Sequence, residues 1–223
     1  MSAKSLIKVL TGAALAGAAT MAIAVPTLTL SVDGAPAIMC ADNAPCDGNP
    51  LPGVVVWDVI GIPGLTVSVT TGTAPPVTTL PQLQDMNSID VTSAGAHTIV
   101  LMFSSTGYTS APGTIFGSFG GTLTAGMTVD AKSWASVTNA LFAMTTPLGE
   151  IGPFGPPAFS GTSTAAIGAI APYSLTQQVT VTTGAAGGSF SGDYQLQIPE
   201  PGSIALAGIA LFALGALGRR KQE

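Results

Sequence analysis

Between residues 25 and 198 apolar side chains return at every second position rather than every third or fourth, and that spacing restricts the chain to β structure. Leu65, Val67 and Val69 alternate with Thr66, Ser68 and Thr70, and Leu123, Ala125, Met127 and Val129 alternate with Thr124, Gly126 and Thr128. Leu175, Val179 and Val181 share a face, as do Phe190, Tyr194, Leu196 and Ile198. A period of two sends successive side chains to opposite sides of a pleated strand, so each run predicts one buried face. Val54 to Ile60 and Thr98 to Phe103 are nearly continuous apolar runs and predict central strands covered on both faces. Gly, Pro, Ser and Thr clusters punctuate these runs, and outside the chain ends no segment keeps a helical period. About nine or ten short strands at this spacing predict an all-β fold, an antiparallel β-sandwich of immunoglobulin-like or jelly-roll layout, with a Greek-key barrel as a further alternative. A β-helix is disfavoured because no repeat of fixed period occurs.

Charge is sorted along the chain. Lys4, Lys8, Arg219, Arg220 and Lys221 lie at the ends, leaving Lys132 as the one basic residue from 25 to 198, against Asp33, Asp42, Asp47, Asp58, Asp85, Asp90, Asp130, Glu150 and Asp193. A domain this acidic has no cationic footprint for phosphates, which excludes nucleic acid as a partner. It would be repelled by anionic lipid as well. Divalent cations and neutral glycans remain electrostatically acceptable.

The ends read as addresses. Lys4 and Lys8 precede an alanine-rich run from Val9 to Ala24 that closes on Ala22-Ile23-Ala24, a small-x-small cleavage site, so residues 1–24 form a secretory signal peptide. At the other end Pro199-Glu200-Pro201 precedes an apolar run from Gly202 to Gly218, then Arg219-Arg220-Lys221. About 17 residues make a helix of ~25 Å, near the lower limit for a bilayer core of roughly 30 Å. The predicted transmembrane helix therefore covers about 202–218, and the basic cluster holds its far end on the cytoplasmic side.

This order of motif, apolar run and basic end resembles the PEP-CTERM sorting signal of Gram-negative bacteria, also labelled the ice-binding protein C-terminal domain, over Ile198 to Glu223. The resemblance implies an exosortase as partner and a transient anchor in the inner membrane, followed by release to the cell surface or outside. The domain order is then a signal peptide (1–24), an exported β-sandwich (25–198) and a sorting signal (199–223). A looser resemblance, over about residues 28 to 110, is to exported sandwich domains that precede such signals. It rests on Asp42-Asn43, Asp47-Gly48-Asn49-Pro50, Leu65 to Gly72, Asp85-Met86-Asn87-Ser88 and His97 to Phe103, and it brings no defined activity.

Cys40 and Cys46 both lie in the exported region, where an oxidising compartment favours a disulfide. One histidine in the whole chain is too few for a zinc site built on this pair. The loop the cysteines close carries Asp42, Asn43, Asp47 and Asn49, oxygen donors of the kind calcium takes. The spacing is not that of an EF-hand, and Asp and Asn are also what turns prefer for bonding their own backbone. Calcium is thus the one cofactor candidate, and otherwise none is expected.

Catalytic signals are sparse. His97 opens an apolar strand, no G-x-S-x-G elbow occurs, and Glu150 lies in the glycine- and proline-rich stretch Leu148 to Pro153, which reads as a loop. A glycosidase needs two facing carboxylates, and no pattern here selects a pair. The expectation is a non-enzymatic surface or extracellular-matrix structural protein associated with exopolysaccharide. The alternative is a carbohydrate- or calcium-binding adhesion module, and a secreted hydrolase comes third. Intact-mass measurement of exported material should reveal loss of both ends, near Ala24 and near Pro199 to Pro201; a mature species retaining Arg219 to Glu223 would instead establish a permanent anchor.

Overall fold

The computed structural model describes residues 25–75, 82–109, 113–168 and 171–198. They form twelve strands: β1 (Thr27–Val32), β2 (Ile38–Ala41), β3 (Val54–Ile62), β4 (Leu65–Thr73), β5 (Gln82–Ser93), β6 (His97–Tyr108), β7 (Gly113–Leu123), β8 (Met127–Ser136), β9 (Thr146–Phe154), β10 (Ala158–Ile167), β11 (Tyr173–Thr183) and β12 (Gly188–Ile198). The first sheet runs β2-β1-β6-β11-β8-β9 and the second β10-β7-β12-β5-β4-β3, with every pairing antiparallel. No helix occurs among the described residues, and the predicted transmembrane helix at 202–218 lies outside them.

Period-two alternation becomes one core between the sheets. Leu65, Val67 and Val69 of β4 face Ile99, Leu101 and Phe103 of β6 in a single buried cluster that also takes Leu175, Val179 and Val181 of β11 and Phe190, Tyr194 and Leu196 of β12. Beneath β7, Phe119 meets Phe159 at 4.9 Å and Tyr194 at 5.5 Å between ring centres, and Phe154 stacks on Phe159 at 4.9 Å. These rings fill the space between edge strands β9 and β10. Gly161 opposite them is obligatory, since a Cβ there would lie 2.7 Å from the Phe154 ring and 2.6 Å from Ile151.

Three sequence expectations change. The alternation from Leu123 to Val129 is a hairpin rather than one strand: β7 ends at Leu123, and Gly126 turns the chain at φ +84° into β8. The apolar run at Val54 lies in β3 at the edge of its sheet. It is apolar because a loop covers the free edge, with Gly48 N donating to Val56 O at 2.8 Å and Val56 N donating to Asp47 Oδ1 at 2.9 Å. Such cover keeps an edge from pairing with another chain. Glu150 stands on strand β9, not in a loop, and forms an ion pair of 3.2 Å with Lys132 on β8.

Two glutamines bind the sheets together across the apolar interior. Gln84 of β5 donates from Nε2 to Phe103 O of β6 at 2.9 Å, and Gln177 of β11 donates to Tyr194 O of β12 at 2.9 Å. The Tyr108 hydroxyl donates to Gln84 Oε1 at 2.8 Å and lies 2.7 Å from Ser105 Oγ. Burial, the largest influence on the Tyr108 hydroxyl, pushes its pKa above the usual tyrosine value. Tyr108→Phe removes the shared hydroxyl and leaves Ser105 and Gln84 only their own long contact of 3.4 Å, so a loss of about 1–3 kcal/mol is expected in urea unfolding. An unchanged midpoint would mean that the network contributes no net stability.

Candidate binding groove

The outer face of the second sheet carries a trough of about 610 Å³. Strand alternation builds it, because residues whose neighbours point into the core must themselves point outward. One rank runs across four strands as Thr162 (β10), Ser118 (β7), Gln195 (β12) and Asp85 (β5), each paired with the next. A second rank runs Ser160, Gly120 and Asp193, with Asn87 completing the lining. Phe119 packs beneath the floor, and Gly120, which faces outward, keeps the floor low. Two residues along β7 from Ser118, Phe116 pairs with Thr164 and Gln197 and is 40% exposed, a ring at the margin of the trough.

No cation lines this trough. Burial, and secondarily the neighbouring Asp193 charge, push the Asp85 carboxyl up to about 6. Asp193 is held in place because its Oδ1 accepts the Ser88 amide at 2.6 Å, where Ser88 adopts φ 51° at a bulge in β5. The trough thus presents hydroxyls, amides and two carboxyl groups side by side, with the Asp85 carboxyl raised well above its ordinary range.

The loop residues singled out in the sequence come together, in a scaffolding geometry. Cys40 and Cys46 form the expected disulfide, with Cα atoms 5.8 Å apart. Asp47 Oδ2 accepts from Asn43 N at 2.9 Å, and its Oδ1 accepts from both Asn49 N and Val56 N at 2.9 Å. Asp42 Oδ2 accepts from Gly53 N at 2.8 Å, and Asn49 Oδ1 from Leu51 N at 2.9 Å. Burial raises the Asp42 carboxyl above its ordinary range. Most of these oxygens therefore hold backbone amides and shape the loop that covers β3. Among the described residues no group of three or more His, Cys, Asp or Glu side chains could hold a metal ion.

His97 begins β6 as its position implies, and the partner missed in the sequence is Asp33. Asp33 Oδ2 lies 2.7 Å from His97 Nδ1, and Asp33 Oδ1 accepts the Thr98 amide at 2.8 Å. The Thr98 amide first, and His97 second, lower the Asp33 pKa. This contact ties the β1–β2 turn to β6 at the end of the sandwich opposite the finish of β12. The sorting-motif residues Pro199, Glu200 and Pro201 and the basic cluster Arg219, Arg220 and Lys221 lie outside the described residues.

Because the folded-state pKa of Asp85 is raised, its contribution to stability is fully present below the unfolded value near 3.8 and is lost as pH rises through about 6. Asp85→Asn should therefore raise the melting temperature at pH 7.5 by a few degrees, discounted for partial solvent screening, and leave it unchanged at pH 3.5. An equal gain at both values would place the effect in packing instead of titration.

No curated protein matches the chain. Among solved structures it is similar to a carbohydrate-binding module complexed with beta-1,4-galactotriose, at 12% identity and TM-score 0.32, covering 68% of this chain and 90% of that one. It is also similar to the adhesin domain of Epf from Streptococcus pyogenes, at 8% identity and TM-score 0.38, covering 77% of this chain and 57% of that one. A third is the K1 adhesin domain of Lys-gingipain from Porphyromonas gingivalis, at 13% identity and TM-score 0.32, covering 67% and 92%. Residues 197–221 match the family described as the PEP-CTERM protein-sorting motif. Motif, apolar run and basic end thus fall inside the matched segment, and the chain carries a PEP-CTERM sorting signal.

Proposed function

We propose that this chain is an exported surface or extracellular-matrix protein, sorted by an exosortase, whose domain holds neutral polysaccharide in the trough on its second sheet. The sorting signal at 197–221 supports the destination. The observation that carries the binding role is the double rank of hydroxyls, amides and carboxylates across β10, β7, β12 and β5 over a glycine floor. Sugars offer paired vicinal hydroxyls, which carboxylate and amide groups bond in both directions, and a flat apolar sugar face suits a ring such as Phe116. Acidity along the whole domain disfavours anionic polymers. We read β5–β12 as a jelly roll rather than an immunoglobulin-like sandwich, because the eight strands divide into the interleaved orders β10-β7-β12-β5 and β6-β11-β8-β9.

A second reading has one specific feature in its favour. Asp85 and Asp193 share the trough, and the raised Asp85 carboxyl has the character of a proton donor. Two carboxyl groups in one trough, one of them raised, are what glycoside hydrolysis can use. We place binding first because Asp193 is already engaged by the Ser88 amide and the trough is an open face rather than an enclosing cleft.

Gly120 tests both readings. A Cβ there meets its nearest heavy atom at 3.5 Å, an ordinary contact, so the position accepts a side chain and Gly120→Val fills the floor. Retention on insoluble neutral β-glucan or β-galactan should fall about tenfold or more, equivalent to roughly 1.4 kcal/mol, at an unchanged melting temperature. New reducing ends released by the wild-type protein and abolished by Asp85→Asn would establish the hydrolase instead. Undiminished retention by Gly120→Val would remove the trough from the function.

A further inference from the structure

The described domain reaches to within four residues of the membrane-entering segment. Ile198, the last residue of β12, is 1% exposed, and the apolar run of the sorting signal begins at Gly202. A fully extended chain spans at most about 14 Å over that interval. The polar region on each side of a bilayer core is roughly 5–8 Å thick. Whichever end of the sandwich carries the finish of β12 is therefore held against lipid headgroups while the signal remains attached.

That end also carries an apolar connection. Ile198 pairs with Gln82, whose side chain bonds Thr109 in both directions at 3.2 Å, just past β6. Gly107 N near the end of β6 donates to Asn139 Oδ1 at 2.8 Å, which fixes the connection between β8 and β9 to the same end. This connection, residues 137–145, has no charged residue. Val137 is 61% exposed, Leu141 37% and Met144 49%, beside an apolar hollow of about 250 Å³ lined by Ala135, Val137 and Ile167.

We infer that, before sorting cleavage, the 137–145 connection seats in the headgroup region of the membrane that holds residues 202–218. The occupant is lipid because the short tether admits no other surface between that end and the bilayer. The loop between β2 and β3 stands at the same end, but it carries Asp42 and Asp47, which the headgroup layer disfavours, whereas the 137–145 connection has no charge and can seat there. The inference rests on the sorting signal acting as an anchor. It gives the loop a role distinct from that of the trough, which occupies the side of the second sheet. Cleavage removes the tether and lets the loop leave the surface.

The test uses the chain with its sorting signal intact, reconstituted in phosphatidylcholine–phosphatidylethanolamine vesicles. An environment-sensitive fluorophore is placed on Leu141→Cys and, separately, on Ala186→Cys in the β11–β12 turn at the opposite end, with the Cys40–Cys46 disulfide left oxidised. Met144→Cys serves as a second site in the loop. Doxyl groups on the lipid near the headgroup should quench the loop probes at least about twofold more than the Ala186 probe, in line with burial at the interface. Equal quenching on chains that float with the vesicles would overturn the inference and leave the anchor intact. Chains that do not float at all would overturn the anchor, and the seated loop with it.

Discussion

Two buried glutamines, Gln84 and Gln177, govern how the two sheets meet. Apolar packing between sheets is non-directional and would tolerate several offsets, whereas a side-chain amide that must reach one carbonyl on the opposite sheet tolerates few. Gln84 reaches Phe103 O and Gln177 reaches Tyr194 O, and both cross from one sheet to the other. Leaving such a group unpaired costs about 1–3 kcal/mol, so an offset that breaks both loses several kcal/mol of directed stabilisation. The hydroxyls of Tyr108 and Ser105 complete the first of these contacts and extend it to the end of β6.

The trough follows from the same packing. Phe119, Phe159, Phe154 and Tyr194 crowd the interior beneath β7 and β12, and the strands around them carry glycine where the rings come close. Gly120 faces outward between Ser160 and Asp193, so the sheet has no side chain at that point. Hydroxyls and amides on either side stand above a floor that the aromatic layer supports. A rigid floor matters for a binding face, because polar groups held by a sheet lose little freedom when a ligand arrives.

The buried faces were legible in the sequence wherever alternation was unbroken, as at Leu65, Val67 and Val69, and the Cys40–Cys46 bridge followed from export and proximity. The hairpin at Gly126 was not, since alternation carried straight through a turn whose residues happen to keep the period. Asp47 carries oxygen donors that suit a turn or calcium alike, and in the fold they accept the amides of Asn43, Asn49 and Val56. Its use in covering the edge of β3 depends on Val56, nine residues away, lying beside it. The trough was beyond reach for a stronger reason. Ser88 and Asp193 are 105 residues apart and meet only through the pairing of β5 with β12, a non-local choice that no spacing in the chain records.

Charge connects the sorting signal to the domain it delivers. Almost every cation lies in the terminal segments, and the described domain neutralises its own lysine with Glu150. With both ends removed, the remainder is acidic throughout, with no basic patch to hold it on phosphate-rich surfaces. In the proposed reading, one cleavage at the sorting signal both releases the domain from the membrane and leaves it without a charge that would hold it there. What remains for recognition is hydrogen bonding and ring stacking at an uncrowded sheet face. Of the polymers outside a cell, those without charge meet the least electrostatic opposition at an acidic face, and on that ground neutral glycans come first in the proposed function.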